Sequence, residues 1–215
     1  MSVKLPNGIA WALATAYAAA VAVSAATNAS EAVLTTASNT YAAGDLVEYT
    51  SGWSRANNRI FRVKAPSSTS VTLEGLDTTS TTLFPAGAGG GSMRKITTRT
   101  TISQVLGCTS SGGDTQFVTY QFMDQDSETQ IPSGTSAQSL SMEIADDPAL
   151  PHYAALKNAA TTRANTALVG TLPDGSVLLY NAIVSFDETP SMTSKQIMSV
   201  KAGFALQGKP VRYAS

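Results

Sequence analysis

Apolar side chains recur at every second position in several short runs, which predicts a chain built mainly from β-strands. In one run Leu140, Met142 and Ile144 alternate with Ser141 and Glu143, the period of a strand with one buried face. Further strands are predicted over residues 8–24 (one strand or a pair), 32–36, 45–49, 60–64, 70–74, 93–97, 102–108, 116–123, 166–172, 176–185 and 194–206, with a Pro-Asp-Gly hairpin turn at 173–175.

A single helix is predicted over residues 148–163. Pro148 suits the first turn of a helix, and Asp146 and Asp147 before it would oppose the positive end of the helix dipole. The apolar residues of this segment follow at roughly helical spacing, namely Leu150, Tyr153, Ala154 and Leu156.

The N-terminal segment admits two interpretations. Residues 9–26 are nearly free of charge, follow Lys4 and end in small residues, as a secretory signal peptide does. However, Ile9, Trp11 and Leu13 occupy odd positions while alanines fill the even ones, which is the pattern of a strand. The segment is also short and alanine-rich for a membrane span. We therefore predict a strand or strand pair and no membrane contact.

Residues 26–97 differ from the rest of the chain. Five of the predicted strands crowd into this region, and turn residues separate them at close spacing. Such spacing indicates a small barrel or sandwich module. The glycine-rich run at 85–92 that follows is predicted to be a flexible loop or linker.

The composition points to self-association. The 215 residues include only 13% charged side chains, the formal net charge is −1, and Ser and Thr make up close to a quarter of the chain. Soluble monomers carry about 25% charged residues, so this surface repels its copies weakly. The length fits one large β domain, or one domain with a small module. The near-zero net charge argues against a polybasic nucleic-acid binder.

The sequence holds little that could support catalysis. With one cysteine and one histidine, it can form no intrachain disulfide and no multi-histidine metal site. We expect Cys108 to be a small buried side chain and His152 to lie at the surface or an interface. Asp124, Asp126 and Glu128 imitate the start of a calcium loop, but the glycine of its sixth position is missing. No enzyme activity, metal or cofactor is predicted.

Charge is unevenly distributed along the chain. No Lys or Arg lies between Arg99 and Lys157. This stretch forms either a solvated loop with a helix cap, or an acidic surface that faces a basic neighbouring subunit or a channel that must not bind nucleic acid. Its acidic residues are Asp114, Asp124, Asp126, Glu128, Glu143, Asp146 and Asp147.

Several segments resemble a known family. These are DTQFVTYQF at 114–122, TQIPSG at 129–134, ADDPALP at 145–151, LPDGS at 172–176 and GKPVRYA at 208–214. Together they resemble the major tail tube proteins of long-tailed bacteriophages with non-contractile tails. The segments GDLVE at 44–48, NRIFRV at 58–63 and VTLEG at 71–75 are similar to a small β-barrel module inserted near the start of some phage tail proteins.

The resemblance implies a tail-tube β-sandwich or barrel with one flanking α-helix, formed by residues 1–25 and 98–215. Residues 26–97 would be an inserted module on the outer wall. Family members form rings, usually hexamers, that stack into a tube, and DNA passes through its generally negative lumen without sequence-specific binding. The resemblance supplies no catalytic residues.

By position, residues 124–136 match the hairpin or loop that reaches the adjacent ring in the family. The candidate inter-ring or lumen residues are Asp124, Asp126, Glu128 and Glu143. The implied partners are further copies of the chain and other tail proteins, such as the tail terminator, tape measure and tail tip. The implied location is the virion, after assembly in the host cytoplasm. The alternative is a secreted or surface β-rich adhesion module, suggested by the N-terminal segment and the small barrel.

Overall fold

The computed structural model of the protein describes residues 7–214. Within this range the chain is mainly β, with one helix, which confirms the predicted fold class. The strands are β1 (Ala10–Tyr17), β2 (Val21–Ala26), β3 (Val33–Thr36), β4 (Leu46–Ser51), β5 (Arg59–Pro66), β6 (Ser70–Leu73), β7 (Gly91–Ile102), β8 (Val105–Ser111), β9 (Thr115–Tyr120), β10 (Thr129–Thr135), β11 (Ser139–Ala145), β12 (Asn165–Thr171), β13 (Val177–Ser191), β14 (Ser199–Leu206) and β15 (Val211–Tyr213), and the helix is α1 (Pro151–Thr162).

A closed six-stranded barrel forms the N-terminal part of the fold. Its strands follow the order β2, β3, β6, β5, β4 and β7, and pairing of β2 with β7 closes it. Alternate side chains fill the interior, among them Leu34, Tyr49, Phe61 and Met93. Strand β7 continues out of the barrel and pairs with β1. That residues 26–97 are an insertion stays a prediction.

The glycine-rich run, predicted to be a flexible loop or linker, forms a loop over residues 85–90 that packs on the barrel, so the linker alternative is wrong. Residues 91–92 already belong to β7. The Trp53 indole N–H donates a hydrogen bond to the Pro85 carbonyl at 2.8 Å, and the Tyr49 hydroxyl donates to the Gly89 carbonyl. A Cβ on Gly89 would lie 2.8 Å from the Trp53 ring. Buried indole and phenol groups need acceptors, and the loop supplies them.

The remaining strands form a β-sandwich. Their order is β7-β1-β12-β13-β14-β11-β8, with β15 beside β13. Only two residues link the end of β7 to the start of β8, so strands at opposite ends of this order lie close together and the sheet folds over itself. Strand β13 is 15 residues long and runs through both layers. The layers enclose a core of Trp11, Leu13, Ile102, Leu140, Met142, Ile144, Leu156, Leu168, Ala182, Val184, Val200, Ala202 and Phe204.

A buried ion pair within the barrel is hydrogen-bonded to the sandwich. The Glu48 side chain is 3% exposed and accepts hydrogen bonds from the Arg94 guanidinium and, at 2.8 Å, from the Asn181 amide on β13. Arg94 stacks over the Tyr17 ring at 4.0 Å. Apolar residues of both parts also share one core. The barrel and sandwich therefore pack as one unit rather than as tethered modules.

The helix begins later than predicted, at Pro151 rather than Pro148. A residue before proline is pushed away from the helical region, and Leu150 accordingly adopts φ −80° and ψ 141° as the N-cap. Asp147 does not lie in the first turn; its carboxylate instead accepts a hydrogen bond from the Ala149 N–H at 3.1 Å. The prediction that Asp146 and Asp147 directly precede the helix is therefore wrong, because the helix starts at Pro151, four residues after Asp147.

Other strand predictions hold with shifted limits. The N-terminal segment forms the two strands β1 and β2, and β12 and β13 form the predicted hairpin. The predicted strand 102–108 is interrupted where Gln104 adopts φ +58°, and the predicted strand 194–206 begins only at Ser199. Between residues 7 and 214 no helix has the length and apolarity needed to span a bilayer.

We predict that Arg94→Met leaves the buried Glu48 carboxylate without its counter-charge. Because Arg94 is itself about one-third exposed, we expect a loss of about 2 kcal/mol in the free energy of unfolding, less than for a fully buried pair. The double variant Glu48→Gln with Arg94→Met should recover most of this loss. Urea unfolding measures both, and equal losses in the two variants would contradict the role assigned to the pair.

Candidate assembly surfaces

A long hairpin arm projects from the sandwich. Strand β8 pairs with β11 up to Ser111 opposite Ser139, and β9 pairs with β10 from Thr115 opposite Thr135. We define the arm as residues 112–138. The sequence indicated a polar loop over 124–136, whereas residues 129–135 form β10. Pro and Gly are unusual inside a strand, and a register shift between Pro132 and Gly134 accommodates them in β10.

Two consecutive glycines bend the arm where it leaves the sheet. Gly112 and Gly113 have φ of +80° and +88°, a region that disfavours other residues. A Cβ on Gly112 would lie 1.9 Å from the Ala137 carbonyl oxygen. The Ser136 hydroxyl accepts hydrogen bonds from the backbone N–H groups of Gly113 and Asp114, both at 3.0 Å. The bend is therefore held by specific contacts.

The arm exposes large apolar side chains that pack in neither hydrophobic core of the chain. Met123 at its tip is fully exposed, and four other large apolar residues of the arm are at least half exposed. Clustered exposure of this kind marks an interaction surface. The four are Phe117, Val118, Phe122 and Ile131.

The predicted site residues fall into two groups. Asp124, Asp126 and Glu128 lie together in the turn between β9 and β10, all exposed. Glu143 lies on β11, about 50 Å away when measured along the extended chain. Its carboxylate accepts a hydrogen bond from the Ser199 hydroxyl at 2.5 Å, and Lys201 is its register partner on β14. The structure therefore does not bring all four candidates together.

One layer of the sandwich has an uncovered outer face, which we name the open face. It is formed by β8, β11, β14 and residues 184–191 of β13. Lys201 stands opposite both Glu143 and Asp187. The pKa of Asp187 is lowered, mainly by the Thr189 backbone N–H and also by Lys201. The other side chains of this face are small: Thr109, Ser111, Ser139, Ser141, Ser185, Gly203 and Ala205.

The layer that carries the open face ends in two strand edges without a partner among the described residues. Strand β8 is the last in the sheet order. On the other side, β12 pairs with β13 only as far as Ile183, so residues 184–191 are bonded to β14 alone. Among the described residues, the other layer has a long free edge at residues 97–102 of β7 and a three-residue one at β15. Sequence reasoning missed these edges because they depend on pairing between distant strands.

The burial of Cys108 and of His152 differs from what the sequence predicted. Cys108 was expected to be buried but is exposed on the edge strand β8. His152 was expected at a surface or interface but is buried, with Nδ1 3.4 Å from the Ser103 hydroxyl. Burial lowers the pKa of His152. In the described part of the chain, no group of three His, Cys, Asp or Glu residues could hold a metal ion.

Comparison with known protein families shows to which family the chain belongs. A family model described as phage tail tube protein, TTP, matches residues 51–215, more than three quarters of the chain. The chain belongs to the phage tail tube protein family. Among curated proteins, none matches it.

The family match confirms the resemblance seen in the sequence. It begins at the last residue of β4 and covers β5 to β15, the arm and the helix, whereas β1 to β3 lie outside it. This tail tube protein is a structural subunit and a virion component, and it assembles as a multimer with other phage tail proteins. The adhesion alternative gains no support from the match.

We predict that the tail tube protein loses stability in mild acid through its single histidine. The unfolded chain binds a proton near pH 6.5, whereas buried His152 binds it only at lower pH. The free energy of unfolding should therefore fall as the pH drops below about 6.5. His152→Gln should flatten the dependence between about pH 7.5 and pH 5.5. Urea unfolding across this range measures it, and equal slopes for both proteins would contradict the prediction.

Proposed function

We propose that this tail tube protein assembles into rings, with six copies as the family expectation, and that the rings stack into the conduit for DNA ejection into the host. The observation that carries the proposal is the pair of free edges at opposite ends of the open-face layer. Edge β8 has seven residues and the β13 edge has eight. Residues 184–187 of the β13 edge are regular, whereas residues 188–191 contain a register shift and Pro190, which has no N–H to donate. Regular pairing with β8 is therefore expected mainly at residues 184–187.

Strand direction supports pairing between these two edges. Neighbouring strands β13, β14, β11 and β8 are all antiparallel, so β8 runs opposite to β13. Rotation about a ring axis along the strands keeps these directions. The β8 edge of one copy therefore meets the β13 edge of the next in the antiparallel sense. Pairing of the β8 edge with the free edge of β7 would instead be parallel, because β7 runs in the same direction as β8.

A ring closed in this way leaves no free edge in the layer. Unpaired backbone groups on exposed strands invite aggregation, and closure of a sheet into a barrel removes them. The open face would then line the lumen. Its small hydroxyl side chains, with Glu143 and Asp187 against Lys201, offer DNA phosphates few positive partners. DNA would pass without sequence-specific binding.

The barrel suits the outer wall of such a tube. It packs on the sandwich layer opposite to the open face, against Ala14, Val169 and Leu179. This placement supports a division into a tube domain, predicted as residues 1–25 and 98–215, and an outer module, predicted as residues 26–97. Because β2 (Val21–Ala26) is a barrel strand, we place the first boundary before β2 rather than at residue 25. The tail terminator, tape measure and tail tip would contact the ends and lumen of the tube, after assembly in the host cytoplasm.

The arm would connect one ring to the next. Its exposed apolar side chains gain from burial against another copy, and the Gly112–Gly113 bend fixes the direction in which it leaves the sheet. In this proposal Asp124, Asp126 and Glu128 act at an inter-ring contact, whereas Glu143 faces the lumen.

Electron microscopy of the purified protein tests the proposal directly. We expect rings or tubes from the unaltered chain, and fewer or no tubes from Asp124→Lys with Glu128→Lys, although this variant should melt like the parent. Glu31→Lys with Asp77→Lys changes the net charge equally on the barrel and should assemble normally. The absence of rings and tubes from the parent chain under every assembly condition would contradict the proposal. If the arm variant forms normal tubes, Asp124 and Glu128 belong to a solvated turn and do not contribute to an inter-ring contact.

A further inference from the structure

Three basic side chains cluster beside the base of the arm, where the barrel meets the C-terminal segment. The Arg59 guanidinium donates hydrogen bonds to the backbone carbonyls of Arg55 and Lys209, each at 3.2 Å. It also lies over the Phe61 ring at 5.0 Å. These contacts hold Arg59 beside the backbone of Arg55 and Lys209, whose side chains are both exposed. We name Arg55, Arg59 and Lys209 the basic cluster.

No carboxylate among residues 7–214 forms an ion pair with the basic cluster. The ion pairs in this range lie elsewhere, at Arg62–Glu74, Lys64–Glu31, Arg94–Glu48, Lys95–Asp45 and Lys157–Glu188. Partial burial lowers the pKa of Arg59, which means that its charge has lost water without gaining a counter-charge. Such a group is stabilised when an anion reaches it.

The arm tip carries three carboxylates that could pair with the basic cluster, but they lie far from the basic cluster of their own copy. Asp124, Asp126 and Glu128 at the arm tip form no ion pair in the structure. Lys209 and the arm-base residue Thr115 line the same cleft, of about 570 Å³. Eight residues of extended chain separate Thr115 from Met123, about 26 Å. An arm in this position cannot place its tip on the basic cluster of its own copy.

We propose that the arm tip of one copy docks on the basic cluster of a neighbouring copy. The proposal rests on the assembly described above and adds to it the surface that receives the arm. The three carboxylates of the tip would face the three cations of the cluster, while Phe122 and Met123 beside them become buried. Because donor and receptor are different surfaces of the same chain, the contact is heterologous and repeats around or along the assembly.

Charge reversal with rescue tests the contact. Asp124→Lys with Glu128→Lys should raise the protein concentration needed for tube formation by about tenfold or more, and so should Arg55→Glu with Lys209→Glu. The chain that carries all four substitutions should assemble at about the concentration of the parent, within about threefold. Additive loss in that chain would overturn the proposal.

A matched variant controls for loss of positive charge. Arg163→Glu with Lys195→Glu changes the net charge equally at exposed residues that form no ion pair in the described structure. It should assemble like the parent. Rings and tubes from the parent combined with failed rescue would refute only the docking contact. Absence of rings from the parent would refute the proposed function itself.

Disulfide trapping locates the receiving surface. With Cys108→Ser as background, Met123→Cys combined with Lys209→Cys should give covalently linked oligomers on oxidation of assembled protein. Met123→Cys combined with Lys64→Cys should give none, because Lys64 is exposed but lies five residues along β5 from Arg59. Links in the second protein but not in the first would overturn the proposal.

Nucleic acid is the competing occupant of the basic cluster. In that case the parent would bind double-stranded DNA in low salt, and Arg55→Glu with Lys209→Glu would abolish this binding while leaving assembly unchanged. That result would overturn the proposal. We expect instead that the variant loses assembly.

Discussion

The structure depends on one constraint, that backbone groups along a strand edge need hydrogen-bond partners. The barrel meets it internally, because β2 and β7 close the ring of six strands. The open-face layer does not, because β8 and residues 184–191 of β13 each bond to one neighbour only. Closure between copies satisfies both edges at once. A subunit of this kind is therefore completed by its neighbours.

The rest of the fold keeps these edges in a fixed relation. The sandwich core joins the two layers, α1 packs against β13, and the Tyr153 and Phe186 rings meet edge to face at 5.0 Å. On the far side, the hydrogen bond from Asn181 to the buried Glu48 and a shared apolar core join the barrel to the sandwich. Rigidity of this kind lets one geometry repeat from copy to copy.

Alternation along the chain was enough to predict β11, which has one buried face. The β12–β13 hairpin was predicted from its Pro-Asp-Gly turn instead, since β12 is buried on both faces. Strand β10 was missed because its side chains are all exposed and it contains Pro132 and Gly134. The free edges, the buried Glu48 and the basic cluster were also missed, since each arises from contacts between distant segments. Of the predicted site, Asp124, Asp126 and Glu128 lie together, and the position of Glu143 required the strand register.

The central claim is that β8 of one copy pairs with the β13 edge of the next, mainly at residues 184–187. Amide hydrogen exchange, compared between unassembled and assembled protein, measures this pairing most directly. The account predicts that exchange slows by about tenfold or more in β8 and in residues 184–187, because their edges gain hydrogen bonds. Residues 97–102 of β7, the long free edge of the other layer, serve as the internal control and should be less affected. Unchanged exchange in β8 and in residues 184–187 of assembled protein would contradict the account.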